Sequence, residues 1–455
     1  MKKVLSVLLA AVMVFTLLVA CANNTPATTN GNNSQNSTEK TTEPANSGEK
    51  PELRIAIWGD EARAAAYEET LAPFCEANNC TVKIELVPIG DYFDKLASQL
   101  GAGTAPDIFW LGDAKEATFI NGGWCADLKD TLSEDADYHL EDFYESAIYS
   151  TDYNEDGSIY GVPFSFGARV IFYNKTLLKA DGLETPDECI ANGTWTYEKM
   201  FEIAQAVSKA DSTKVGVKLW CVGQEKNGIQ AFADILPAYG ANIFNADSSE
   251  FTLDTPEGIA VTKMVYDAIY TNGGHAKPDD TTAFASGNVA MARECYSYMK
   301  TMANSEADFE WDVAPMPYGS KGKDAPLYTG YAYWCADATG KNVELAKQLI
   351  KFVTNPENQM AWCSTFMCPR DSVMTSDKIL NLGEGYPTAE KIKAAFVDPV
   401  NEQGLYTYRG TPDFTLLQNT VQQGYEMIWA GQYSIENGIT EMKQAVAPYL
   451  NEPKG

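Results

Sequence analysis

The stretch that most resembles a functional site is Asp152–Pro163, with the sequence DYNEDGSIYGVP, which contains part of a metal-binding pattern. Its first half, D-x-N-x-D-G, matches positions 1, 3, 5 and 6 of a calcium-binding loop. Position 12 of such a loop is a bidentate Glu, but here it is Pro163, whose side chain offers no ligand atom. Asp-Gly is also a common two-residue hairpin turn. We therefore predict a turn at Asp156–Gly157 and no metal site.

Histidine and cysteine usage argues against most catalytic sites. Only two histidines, His139 and His275, occur in 455 residues, which weakens nucleophile–histidine catalysis and most metalloenzymes. Apart from Cys21, nine cysteines remain, an odd number that cannot all pair, and their spacing shows no CxxC repeat. Cys75 and Cys80 either form a local disulfide or stay small buried thiols. The sequence predicts neither a cofactor nor catalytic residues.

The N-terminus indicates export. Lys2 and Lys3 precede an uncharged, mostly apolar run, so residues 1–20 are predicted to be a signal peptide. The run ends at Cys21 as LVAC, which resembles a bacterial lipoprotein box, and this resemblance implies a lipidated Cys21. The rest of residues 21–50 is rich in Asn, Thr and Ser and poor in apolar residues, which predicts a flexible tether. We expect a domain on the outer face of the cell membrane, held by lipid alone, as on a Gram-positive surface.

The net charge excludes some classes of binding partner, and the length indicates the number of domains. A formal net charge of −28 argues against nucleic acid, which needs a basic footprint, and against anionic lipid headgroups. About 400 residues follow the tether, enough for two or more domains, and we expect a monomer.

Hydrophobic patterning predicts an α/β protein. Strands are predicted at LRIAIW (53–58), TVKIELVPI (81–89) and APDIFWLG (105–112), with helices at 61–78 and 91–103 between them. This alternation is typical of a largely parallel sheet. Residues 194–209 place Met200, Ile203, Ala204 and Val207 on one helical face. Helices are also predicted at 255–273 and 342–354, and the chain to Leu450 is predicted to be mainly helical.

Six motifs in order carry a resemblance that spans roughly residues 50–450. They are YFDKLASQLGAGTAPDIF, IYGVPFSFGARVIFYNKTLL, AFASGNVAM, WDVAPMPYG, KNVELAKQLIKFVTNPENQ and GQYSIENGITEMKQA. Together they resemble the extracellular solute-binding proteins of bacterial ABC importers, of the maltose and oligosaccharide type. The resemblance implies a two-lobed, type II periplasmic-binding-protein-like fold with a ligand cleft between lobes joined by hinge strands. Lobe one would be 51–165 plus 333–375, and lobe two 166–332 plus 376–455.

Ligand residues follow from strand ends and from the family pattern. Ligands of parallel α/β sheets lie beyond the carboxyl ends of strands, and sugars suit aromatic faces flanked by polar groups. Tyr296 stands where related sugar binders carry a stacking Trp. The alternatives are packing for the aromatic residues, helix capping for Asp60, solvation for Asp113 and pairing with a carboxylate for Arg169. The predicted ligand-binding residues are Trp58, Asp60, Asp113, Phe164, Phe166, Arg169, Trp220, Tyr296, Tyr298, Tyr331, Trp334 and Arg370.

The resemblance implies capture of a carbohydrate, an oligosaccharide, and its delivery to ABC permease subunits that work with a separate ATPase. One alternative keeps the fold but changes the cargo to a polyamine, a peptide or an anionic solute, the last held by Arg169, Arg370 and Arg409. A more remote alternative is a surface glycosidase with paired carboxylates. We predict a binding protein and not an enzyme.

Overall fold

The computed structural model describes residues 50–112, 115–149, 151–152, 155–220, 228–363 and 367–452. The predicted signal peptide, the predicted lipidation site Cys21, the predicted tether up to residue 49, and Asp113 lie outside the described residues. Among the helices that are described, none is long and apolar enough to cross a membrane.

Strands and helices alternate through the first third of the chain, and helices dominate the last quarter. The strands are β1 Glu52–Ile57, β2 Thr81–Leu86, β3 Ile108–Gly112, β4 Val162–Phe166, β5 Arg169–Asn174, β6 Val215–Lys218, β7 Val289–Cys295, β8 Trp311–Ala314, β9 Leu327–Tyr328, β10 Tyr331–Ala336 and β11 Leu405–Tyr406. The α-helices are α1 Glu61–Ala77, α2 Ile89–Gly101, α3 Glu116–Asn121, α4 Lys129–Ser133, α5 Glu145–Tyr149, α6 Lys175–Ala180, α7 Pro186–Ala191, α8 Tyr197–Ala210, α9 Ile229–Phe232, α10 Ile235–Ala238, α11 Pro256–Tyr266, α12 Tyr298–Ala303, α13 Val343–Val353, α14 Pro356–Trp362, α15 Asp371–Met374, α16 Asp377–Leu380, α17 Ala389–Ile392, α18 Asp398–Gln403, α19 Phe414–Trp429 and α20 Ile435–Val446. Short 3₁₀ and π turns lie between them.

The two main sheets confirm the α/β class. The first has the order β2-β1-β3-β10-β4, and β1 runs parallel to β2 and β3. The second has the order β6-β7-β5-β8, and only β6 and β7 are parallel. The expected largely parallel sheet is therefore wrong outside β2, β1 and β3. The reason is that β10 brings the chain back to the first sheet without a crossover helix and lies antiparallel to both of its neighbours, β3 and β4.

Side-chain alternation on β5 shows how the second sheet is covered on both faces. Val170 and Phe172 pack into the hydrophobic core that contains β1, β3 and β10. Ile171 and Tyr173 point the other way, into a second core with α8, α11 and α19. The predicted α8 face is confirmed, because Met200, Ile203, Ala204 and Val207 are all buried there.

Two of the passages between the predicted lobes lie side by side. The chain leaves the first sheet after Phe166 and enters the second at Arg169, then returns between Tyr328 and Tyr331. The backbone N–H of Gly167 donates to Gly330 O and to Thr329 Oγ1, both at 3.1 Å. The two passages are thus hydrogen-bonded to each other. The lobe limits given above, 51–165 plus 333–375 and 166–332 plus 376–455, stay predictions.

Candidate functional site

A cleft of about 360 Å³ opens between residues that follow strands of the first sheet and residues that pack on the second. Glu116 on α3 and Ser146 on α5 line one side. The other side is lined by Asn242, Phe244, Asn245, Ala246, Pro326, Leu405, Tyr406, Thr407, Tyr408 and Arg409. A concave surface with mixed aromatic and polar lining is the usual form of a small-molecule site.

The position of Glu116 follows from the topology of the first sheet. β3 ends at Gly112 and α3 begins at Glu116, so this carboxylate lies just beyond the carboxyl end of a parallel strand, where ligands of α/β sheets bind. Glu116 is only 3% exposed although it lines the cleft. Ser146 is held by a 2.7 Å hydrogen bond between its Oγ and the hydroxyl of Tyr331 on β10.

Three rings form what we call the aromatic wall: Phe244, Tyr406 and Tyr408. The Tyr406 and Tyr408 ring centroids are 5.7 Å apart at 82°, and Phe244 and Tyr408 are 5.8 Å apart at 82°. The two hydroxyls are engaged within the protein, since Tyr406 donates to Ala233 O at 2.5 Å and Tyr408 Oη accepts from Ile243 N at 3.4 Å. Burial raises the pKa of Tyr408 to about 12, so the phenol is neutral. Tyr406 is half-buried, whereas Phe244 and Tyr408 are 1% and 4% exposed, so Tyr406 presents most of the ring surface that faces the cleft.

Contacts across the cleft hold its two sides together. Arg409 Nη1 pairs with Glu155 Oε1 at 2.5 Å. Thr118 Oγ1 donates to Pro412 O at 2.9 Å, and Lys115 Nζ donates to Thr415 Oγ1. The structure therefore represents a state in which residues following β3 touch the segment that carries the aromatic wall.

Comparison with known proteins assigns the fold and the family. Residues 69–380 match the family described as bacterial extracellular solute-binding protein. The chain belongs to this family. A putative binding protein of Brucella abortus is 24% identical to this solute-binding protein over 289 residues, which cover 61% of this chain and 66% of that one. The arabinooligosaccharide-binding protein of Bacillus subtilis is 26% identical over 290 residues, covering 60% and 62%.

The match thus spans less than two thirds of the length of either relative. Among solved structures, an ABC substrate-binding protein of Listeria monocytogenes in complex with cycloalternan superimposes with a TM-score of 0.73. It is 19% identical, and the superposition covers 88% of this chain and 99% of that chain. The predicted two-lobed, type II fold is confirmed by this likeness.

Trp58 and Asp60, two of the predicted ligand-binding residues, lie just after the end of β1 and have local structural roles. Trp58 is half-buried and packs edge-on against Tyr92 and Trp110, with ring centroids 5.1 and 5.0 Å apart. Asp60 is exposed, and its Oδ1 accepts from Arg63 N at 2.9 Å as the N-cap of α1. Neither lines the cleft described here, so both stay predictions as ligand contacts.

The hinge strands hold predicted residues that are mostly packed inside. Phe164, Phe166 and Trp334 are 5%, 3% and 1% exposed, because β10 lies between β3 and β4 and both of its faces are covered. Tyr331 is also buried, but it reaches the cleft through Ser146. Arg169 is half-buried, and its Nη1 donates to Gly167 O at 2.6 Å.

The predicted lobe-two residues are likewise engaged. Tyr296 is 4% exposed, and its hydroxyl donates to Ile379 O at 2.9 Å, so it is packed rather than presented as a platform. Trp220 is 2% exposed and lies 4.3 Å from His275, ring to ring. Tyr298 is half-buried, with its ring edge-on to Phe172.

Arg370 is fully buried beneath lobe-one residues. Its Nε donates to Gln359 Oε1 at 2.7 Å, its Nη1 to His139 O at 2.6 Å and its Nη2 to Thr354 O at 3.1 Å. The guanidinium carbon lies 3.8 Å from the ring centroid of Phe143. These contacts give Arg370 a packing role and leave it no exposed surface.

The Asp152 stretch folds as a turn. Asp152 Oδ1 and Oδ2 accept from the backbone N–H groups of Asp156 and Gly157, both at 3.0 Å, and Asp156 Oδ1 accepts from Ser158 N at 2.9 Å. Within the described residues, no group of three or more His, Cys, Asp or Glu side chains is placed to hold a metal ion. Among the described residues before this turn, no strand pairs with β4, so the hairpin geometry is wrong there, while the turn leading into β4 is present.

Tyr406 and Tyr408 are not among the predicted residues, because the sequence predicts a mainly helical chain from the helix at 342–354 to Leu450. Tyr406 instead belongs to β11, which pairs parallel with β9 through Leu405–Leu327 and Tyr406–Tyr328. The signal was available: LYTYRG alternates aromatic and polar residues with the period of a strand. Glu116 and Ser146 carried no comparable signal, since both lie on short helices.

Proposed function

We propose that this solute-binding protein captures a carbohydrate, an oligosaccharide, in the cleft between Glu116 and the aromatic wall. The observation that carries the proposal is the pairing of ring faces with polar groups across one cleft. A sugar presents a C–H face that packs on aromatic rings and a hydroxyl rim that hydrogen-bonds to carboxylates, amides and hydroxyls. Here the half-buried Tyr406 supplies the ring that a sugar can reach, with Phe244 and Tyr408 packed behind it, and Asn242 with Glu116 supplies polar groups.

The names of similar proteins support the same class of cargo. The Bacillus subtilis relative binds arabino-oligosaccharide, and the Listeria monocytogenes structure holds cycloalternan. Both relatives are distant, so they support an oligosaccharide as the class and not a particular sugar.

Binding in this cleft would couple the solute to lobe closure. A ligand that touches Glu116 on one side and Tyr406 on the other interacts best with the closed form and shifts the population towards it. We propose that the closed form is recognised by ABC permease subunits with a separate ATPase. Anchoring through a lipid on Cys21 would keep the monomer at the outer face of the cell membrane.

Two alternatives receive less support from the site. Glycoside hydrolysis needs two carboxylates flanking the bond, whereas Glu116 is the one acidic residue among the described residues lining the cleft. An anionic solute would need the arginines together. Arg370 is buried away from the cleft, and Arg409, which does line it, is paired with Glu155.

The test is calorimetric titration of the full chain with arabino-oligosaccharides, malto-oligosaccharides and cyclic glucans. We expect heat with at least one of them. Truncating an interface anchor costs more than about 1.4 kcal/mol at a hot spot, so Tyr406→Ala should weaken that affinity at least about tenfold.

Tyr433→Ala is the matched control, because Tyr433 is 38% exposed and lies between α19 and α20, outside the cleft lining. Absence of heat with every sugar, alongside heat with a polyamine or an amino-acid polymer, would overturn carbohydrate as the cargo. Equal weakening by both variants would remove the cleft from the proposal.

A further inference from the structure

Two pairs of cysteines in this extracellular family member lie side by side. The first pair, Cys75 and Cys80, flanks the C-terminal end of α1. The N–H of Cys80 donates to Cys75 O at 3.0 Å, the N–H of Asn79 donates to Glu76 O at 3.4 Å, and Asn79 is left-handed with φ of 48°. This is the Schellman arrangement, in which the first and last residues of the motif usually make an apolar side-chain contact. Here those residues are Cys75 and Cys80, both free thiols, and burial together with the neighbouring Cys80 thiol raises the pKa of Cys75.

The second pair joins distant parts of the chain. Cys125 forms an antiparallel bridge with Asp337, and Ala126 N donates to Ala336 O at 3.0 Å. Residues two apart on an extended chain share a side, so Cys335 is the diagonal neighbour of Cys125. Both are free thiols, 5% and 2% exposed, and burial together with the neighbouring Cys125 thiol raises the pKa of Cys335.

Other cysteines of the described chain differ from these pairs. Cys363 Sγ donates to Met360 O at 3.0 Å and Cys368 Sγ to Gln359 O at 3.5 Å. Each of these thiols therefore has a backbone acceptor of its own. Paired thiols in an exported protein meet an oxidising environment in which disulfides form and persist.

We propose that Cys75–Cys80 and Cys125–Cys335 become disulfides in the exported protein, through exchange with a disulfide-bearing oxidant. One thiolate attacks a sulfur of the oxidant and releases a thiol, and the partner cysteine then displaces the remaining half of the oxidant. Each protein pair loses two electrons and two protons, and the oxidant leaves as two thiols. The proposal rests on the extracellular location of the family and does not depend on which solute is bound.

The burial of these cysteines determines at which stage of folding the two disulfides form. Desolvation raises the pKa of Cys75 to about 11 and holds that of Cys335 far above its usual value, so the attacking thiolate is scarce in the folded protein. We therefore place the exchange during folding, before the Cys125–Cys335 pair is sealed.

The experiment refolds the full chain from denaturant with glutathione disulfide and reduced glutathione, alkylates the free thiols and maps peptides by mass. The expected result is a Cys75–Cys80 bridge and a Cys125–Cys335 bridge, with Cys363 and Cys368 alkylated. Alkylation of all four paired cysteines, or bridges from them to Cys363 or Cys368, would overturn the assignment.

A melting series provides the second readout. Dithiothreitol should lower the melting temperature of the oxidised wild type. It should have no effect on a variant with Cys75, Cys80, Cys125 and Cys335 all changed to Ala, and Cys363→Ala should respond like the wild type. A dithiothreitol response that survives in the fourfold variant contradicts the proposal. Sugar titration of the same oxidised sample tests the proposed cargo separately, because the peptide map is read without any ligand.

Discussion

Replacing Arg370 separates a packing role from a ligand-binding role. The side chain is 0% exposed and donates to Gln359, His139 and Thr354 at 2.6–3.1 Å. A hydrogen bond from a charged group contributes about 1.5–3 kcal/mol, and the acceptors left behind are buried. Such losses overlap, so we expect Arg370→Met to lower the free energy of unfolding by about 3–5 kcal/mol, the range for removing one member of a buried charged cluster.

For a lobe of this size, that loss corresponds to a fall in melting temperature of roughly 10 °C. The assay is thermal unfolding followed by circular dichroism, with sugar titration below the transition. Lys323→Ala is the control, because its ion pair with Glu402 is exposed at 60% and 46% and should contribute less than about 1 kcal/mol. A fall of less than about 3 °C together with lost sugar binding would refute the packing role and restore Arg370 as a ligand contact.

Three further changes test other parts of the fold. Asp234→Asn should lower the free energy of unfolding by about 3 kcal/mol in urea titration, because Arg293, 1% exposed and 2.6 Å from Asp234, loses its buried counter-charge. Desolvation lowers the pKa of His275 to about 4, so the unfolded chain takes up a proton at this histidine at a higher pH than the folded protein does. The free energy of unfolding should therefore fall by about 2 kcal/mol between pH 7.5 and pH 5. His275→Gln should make the free energy of unfolding less dependent on pH over that range. Gly424→Ala should lower the melting temperature by several degrees, since a Cβ there would meet Met442 Cγ at 1.9 Å between α19 and α20.

Most helices and strands could be predicted from the local pattern of apolar and polar residues. The helices predicted at 61–78 and 342–354 are observed as Glu61–Ala77 and Val343–Val353, because their apolar spacing and end signals are contained in the segments themselves. The helix predicted at 255–273 ends early, at Tyr266, and continues as a π turn over Asp267–Thr271.

The cleft was much less predictable, because facing the cleft or the core depends on the partner strands. Tyr331 and Trp334 on β10 point to opposite faces of the sheet, and yet both are buried. The reason is that β10 is flanked by β3 and β4 and covered on both faces. Period-2 reasoning identifies an exposed face only where one face of a sheet is open. The alternation of LYTYRG predicts a strand at Tyr406 but does not specify that its partner is β9.

The hydrogen bonds from Gly167 to Gly330 and Thr329 have a mechanical consequence. Two independent connectors would let the lobes twist and slide as well as open. Because the two connectors pair as β4 and β10 and stay hydrogen-bonded at Gly167, they form one shared pivot, and we expect the lobes to rotate about it. A small angular change at the pivot becomes a displacement that grows with distance from it. The outer rims of the lobes therefore travel furthest, and they are where occupancy of the cleft is most visible from outside.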